Sequence, residues 1–106
     1  MKKLLSCGRT FILACSLMLL AAPAYAAGDS VEGKKVASRW CAVCHLVTPG
    51  QPTATVAAPP FAEIKQRHEG KMEFLEAFLS QDHPNMPNMS LTYYEIQNLI
   101  AYIEGL

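Results

Sequence analysis

The run Cys41-Ala42-Val43-Cys44-His45 constrains this chain more than any other stretch of its 106 residues. C-x-x-C-H is the attachment signature of c-type haem. The spacing has a mechanical reason: on a helical turn residues three apart share a face, so both thiols can reach the two vinyl groups along one porphyrin edge. His45 follows directly and can place an imidazole nitrogen on the iron as proximal ligand. Three other readings compete. A thioredoxin-like dithiol needs a βαβ setting, and nothing in the chain alternates strands with helices. A zinc site could use Cys41, Cys44 and two histidines, but His68 and His83 lack a typical H-x-H spacing. A plain disulfide leaves His45 unexplained.

The N-terminus has the three parts of a secretory signal. Lys2, Lys3 and Arg9 form a positive start, residues 11–22 are almost wholly apolar, and Pro23 precedes the small residues Ala24 and Ala26 around Tyr25. Cleavage after Ala26 leaves an 80-residue domain, 27–106. An uncleaved membrane anchor is the alternative, but the apolar run is shorter than the ~20 residues a spanning helix needs. A lipoprotein is the other, from Ile12-Leu13-Ala14-Cys15, with Leu13 a poor fit to a lipidation box. Removing the segment takes Cys7 and Cys15 with it and changes the charge. The whole chain has 9 Lys+Arg and 9 Asp+Glu, whereas residues 27–106 keep six bases against all nine acids, a net charge of −3. A nucleic-acid binder needs a clustered positive surplus, which this chain does not have.

Periodicity and breakers divide 27–106 into four helical segments. Residues 30–44 read as the first, capped by Asp29 or Ser30. Gly33 inside it costs about 1 kcal/mol relative to Ala, and close approach of another helix is the expected reason. Residues 45–60 are rich in Pro, Thr, Gly and Ala and read as a loop. A short helix follows over 61–68, Gly70 breaks the chain, and 71–79 makes another helix with Phe74, Leu75 and Phe78 on one face. After a second loop, 81–91, the last helix begins at Thr92, where Glu95 three residues on makes a capping box. Ile96, Leu99, Ile100 and Ile103 continue it at helical spacing, and Gly105 closes it. The expected fold class is all-α.

Taken together these residues resemble the class I monohaem cytochromes c over nearly all of 27–106. The resemblance implies one haem c, covalent through Cys41 and Cys44, with the N- and C-terminal helices crossing. Gly33 and Ala37 occupy the crossing positions, and Tyr102 matches the aromatic partner; the family often has an aromatic where this chain has Ala37. Ala58-Pro59-Pro60-Phe61 resembles the family's haem-pocket turn, which implies that the Pro59 carbonyl accepts the second ring N–H of His45. The family's far-side ligand is a methionine. Met86-Pro87 fits its pattern, with Thr92 six residues later; Met89 is next, Met72 lies inside a helix, and His83 would give bis-histidine iron. A residue before proline is pushed into an extended conformation, so Pro84 and Pro87 stiffen the loop that carries Met86. Phe61, Ile64, Phe74, Leu75, Phe78, Leu91 and Leu99 are expected to line the haem, and Trp40 either lies along the haem edge or bonds a propionate or, more simply, packs.

A thioether is softer than imidazole and favours Fe(II), raising the potential. The implied role is an electron carrier rather than an enzyme, exported to the periplasm, monomeric, exchanging single electrons with larger redox proteins and meeting the membrane only through partners or an uncleaved signal. Two alternatives stand beside it: a haem enzyme or gas-binding protein with a labile sixth ligand, and an electron-input subunit of a dedicated oxidoreductase. Lys34/Lys35/Arg39 and Lys65/Arg67/Lys71 are docking patches or, more simply, solvated helix faces.

Overall fold

A computed structural model describes residues 27–54 and 58–106, and the signal-like segment 1–26 lies outside them. The described residues form four helices: α1 (Ser30–Val36), α2 (Phe61–His68), α3 (Met72–Leu79) and α4 (Tyr93–Glu104). Among them the only strand-like pairing is an isolated bridge between His83 and Met86. The fold is all-α.

Asp29 caps α1, its carboxylate accepting the backbone N–H groups of Val31 and Glu32 at 2.8 and 3.1 Å. Such a cap satisfies donors that have no partner inside the helix. The regular helix does not run through 30–44. It passes at Ala37 into a single π-helical turn, Ala37–Cys41, where the Ala42 N–H reaches back five residues to the Ala37 carbonyl at 3.0 Å. The wide turn takes up one extra residue, breaks the regular ladder and re-aims the cysteine segment. The Cys41 carbonyl then accepts from both Cys44 N–H (3.1 Å) and His45 N–H (2.8 Å), winding Cys41 to His45 into a tight turn.

α4 starts as expected: Thr92 and Glu95 cap each other reciprocally. The bonds from Thr92 hold the Glu95 carboxyl below its ordinary value. The buried stripe of α4, Ile96, Leu99, Ile100, Tyr102 and Ile103, forms half of the core, with Ala37, Cys41, Val47, Phe61 and Leu75 from the rest of the chain.

α1 lies directly on α4. A Cβ built on Gly33 would sit 1.9 Å from the Asn98 carbonyl oxygen, and one on Gly28 would sit 2.1 Å from that of Gln97. Glycine is therefore required for backbone to meet backbone at this crossing. The Asp29 N–H adds a bond to Asn98 Oδ1 at 2.7 Å. Ala37 is wholly buried.

Val47 is a core residue that periodicity does not identify, because it comes from the loop rather than a helix. Both of its backbone polar groups are held by side chains: its N–H donates to Gln51 Oε1 at 3.0 Å, and its carbonyl accepts from the Tyr102 hydroxyl at 2.7 Å. Burial pushes the Tyr102 hydroxyl up from its ordinary pKa, so it stays a donor through the physiological range. Tyr102→Phe would leave the Val47 carbonyl without its donor at an expected cost of about 1–2 kcal/mol. Urea denaturation of the parent and the variant measures this; equal midpoints would show that the bond contributes nothing.

Candidate haem site

The helices enclose a cleft of about 400 Å³, within the roughly 300–1,000 Å³ usual for cofactor pockets. One wall is the cysteine turn, contributing Cys41, Cys44 and His45; Ala58 and Pro59 flank it. α2 and α3 supply an apolar wall of Phe61, Ile64, Phe74, Leu75 and Phe78, and the far loop supplies Pro84 to Pro87 and Met89. Trp40, Arg67, His68 and Leu79 also line it. Trp40 is therefore not packed in the core: it is 47% exposed beside the cleft. Leu91 and Leu99 do not line it. Leu99 faces the core, and Leu91 lies against a small neighbouring cavity shared with His83. Ile103, one turn beyond Leu99, lines the cleft instead.

The two cysteines differ in setting. Cys41 is buried, and burial pushes its thiol up to about 11, so at neutral pH it is protonated. Cys44 is half-buried. The two are not joined in a disulfide. His45 is oriented by a hydrogen bond from its Nδ1 to the Pro59 carbonyl at 2.7 Å. A carbonyl can only accept, so the ring proton is fixed on Nδ1 and the lone pair is left on Nε2. Phe61 lies against the same imidazole, centroids 5.5 Å apart.

Gln51 was not picked out from sequence, and it holds this region together. Its Nε2 donates to the carbonyls of Ala42, His45 and Thr53, each at 3.0 Å, while its Oε1 takes the Val47 N–H. Phe61 N–H closes the loop onto the Leu46 carbonyl at 2.9 Å. The only sequence signal for it is indirect. A loop containing Pro49, Gly50 and Pro52 cannot satisfy its own carbonyls by regular bonding, so some side-chain donor is needed.

The far loop turns at His83-Pro84-Asn85-Met86, where Met86 N–H donates to the His83 carbonyl at 3.3 Å and Asn85 has φ +67°. Proline followed by a positive-φ Asn is the pattern of a type II turn. Met86 and Met89 both line the cleft and are both half-buried; Met72 packs against the core. His83 lines the neighbouring cavity, its ring stacked on Phe78. Among the described residues no group of three or more His, Cys, Asp or Glu side chains is placed to hold a metal ion, which gives the zinc reading nothing to build on. Lys34, Lys35, Arg39, Arg67 and Lys71 are exposed, Lys35 pairing with Glu32 at 2.6 Å and Arg67 with Glu63, whereas Lys65 is half-buried and donates to the Leu106 carbonyl. No described helix is long and apolar enough to cross a membrane.

The chain is 40% identical over 80 residues to cytochrome c-552 of Bradyrhizobium diazoefficiens, an alignment covering 76% of this chain and 77% of that protein. The chain belongs to the c-type cytochromes. No family profile and no solved structure matches it. As a c-type cytochrome it takes haem c, and the cleft fits that group by its donors. Two thiols stand on one wall, an imidazole with its Nε2 lone pair left over lies beside them, two thioethers come from the far loop, and the rest of the lining is mainly apolar.

Proposed function

We propose that this cytochrome carries single electrons between larger redox proteins in the periplasm, with Cys41 and Cys44 as the residues that would hold the haem and His45 and Met86 as those that would ligate its iron. The observation that carries the reading is the 2.7 Å bond from His45 Nδ1 to the Pro59 carbonyl, in a cleft that both cysteines and Met86 also line. The haem supplies a one-electron iron couple. The chain's residues do the rest. Pro59 fixes the His45 ring and raises its basicity. Phe61, Ile64, Leu75 and Ile103 keep the cleft apolar, which holds water away from the redox centre. A Met86 thioether would favour the reduced state of the bound iron and, as a second protein ligand, would compete with oxygen or peroxide for it. The signal-like segment 1–26, cut after Ala26, accounts for export.

The test is the ferric absorption spectrum of single variants. Met86→Ala is expected to abolish the weak long-wavelength band of methionine–iron bonding and to lower the potential, while Met89→Ala keeps the band. A band that survives Met86→Ala would transfer the ligand role to Met89, which lines the same cleft. Carbon monoxide binding by the unmodified reduced protein would favour the labile-ligand alternative.

A further inference from the structure

We infer that His83 is the positioning residue that selects Met86 over Met89 as the sixth ligand. This deepens the ligand reading above and rests on it. The His83 ring stacks on Phe78 with centroids 3.4 Å apart and planes 30° apart. Phe78 belongs to α3, which Leu75 anchors in the core, and it continues a stack through Phe74 to His68 on α2, with centroid spacings of 6.0 and 4.6 Å. His83 therefore fastens the far loop to the rigid part of the molecule.

It also sets where Met86 stands. His83 and Met86 are the two ends of one four-residue turn, joined by the Met86 N–H to His83 carbonyl bond, with Pro84 and the positive-φ Asn85 between them. Proline fixes its own φ and restricts the residue before it, so little backbone freedom remains between His83 and the Cα that carries the Met86 side chain. The turn is strapped from outside by the Asn88 side-chain amide donating to the Asp82 carboxylate. Met89 lies beyond that strap, on the segment where Asn88 Oδ1 receives Ser90 N–H and Ser90 takes φ +51°. The stack thus reaches Met86 across one four-residue turn and Met89 only three residues farther along the chain, with both methionines bordering the cavity that His83 lines. His83 itself lines the cavity behind the loop rather than the cleft, which fits positioning rather than ligation.

An exogenous ligand can bind the iron only while the methionine is off, so its apparent affinity reports the methionine-off population. The experiment titrates holo ferric protein with imidazole and follows the methionine–iron band. Loss of one aromatic stack in His83→Ala is expected to raise apparent imidazole affinity roughly tenfold. His83→Phe, which keeps a flat ring against Phe78, is expected to return it to within about twofold of the parent. Met89→Ala is expected to raise apparent affinity severalfold more on the His83→Ala background, where Met89 begins to share the iron, than in the parent. An unchanged affinity in His83→Ala, a His83→Phe variant as loose as His83→Ala, or a Met89→Ala effect equal on both backgrounds would each overturn the inference. A methionine–iron band that persists in Met86→Ala would instead bring down the ligand reading beneath it.

Discussion

Gly33→Ala is expected to destabilise the holo protein by about 3 kcal/mol or more, the upper end of overpacking costs. On an exposed helix the same change gains about 1 kcal/mol, because alanine restricts the unfolded chain and favours the helix. Here the new methyl would meet the Asn98 carbonyl oxygen at 1.9 Å, the Asn98 carbonyl carbon at 2.5 Å and Tyr102 Cβ at 2.8 Å. Unstrained non-bonded carbon contacts lie near 3.5–4.0 Å. Two of those three neighbours are backbone, so no rotamer change relieves the overlap and α1 must move away from α4. That movement would open the packing around Leu99 and Tyr102, and with it the Tyr102 bond to Val47. Denaturant unfolding measures the loss as a fall in midpoint at unchanged slope. Gly105→Ala is the control: its Cβ would meet nothing closer than 3.5 Å, and its φ of −84° suits any residue, so its effect is expected within about 0.5 kcal/mol. A Gly33→Ala protein as stable as its parent would mean that the helices do not cross at Gly33.

The helices were legible because their signals are local. Asp29, the Thr92–Glu95 pair, Gly70 and Gly105 mark ends by chemistry that acts within one turn. The need for Gly33 was legible too, because a helix-interior glycine has a cost that something must offset. The π-helical turn at Ala37–Cys41 was not, since no residue in it forbids ordinary winding and the extra residue is absorbed where the cysteine segment meets the core. The lining of the cleft was legible only in part. Periodicity identifies an apolar stripe on α4 but not what the stripe faces, so Leu99 was expected at the haem and packs in the core, while Ile103 reaches the cleft. The acceptor for His45 came from resemblance alone, because nothing in Ala58-Pro59-Pro60-Phe61 states which carbonyl faces an imidazole 14 residues away.

Gln51→Glu is expected to be more damaging at neutral pH than Gln51→Ala, although it is the closer match in shape. The amide at this position works in both directions, with Oε1 accepting from Val47 N–H and Nε2 donating to three carbonyls. Alanine removes all four bonds and leaves the N–H of the buried Val47 without an acceptor, at a cost of about 2 kcal/mol. Glutamate keeps that one acceptor but turns a carboxylate oxygen toward the carbonyls of Ala42, His45 and Thr53, so about 3 kcal/mol is expected to be lost at neutral pH. The repulsion acts on the ionised form, so the folded-state pKa of the new carboxyl is raised above the unfolded value of about 4.3. The native state then binds the proton more tightly than the unfolded chain does. Stability is accordingly full below about pH 4.3 and is lost as pH rises through the folded pKa, the reverse of a salt-bridged carboxylate. Unfolding midpoints of the two variants across that range separate the effects: the Glu variant approaches or exceeds the Ala variant in acid and falls below it at neutral pH. Curves that stay parallel would show that the three carbonyls do not depend on the Gln51 amide. Since one of those carbonyls belongs to His45, the ferric spectrum of the Glu variant is expected to change with pH over the same window. That spectral change would tie the loop's hydrogen bonding to the His45 imidazole rather than to overall stability alone.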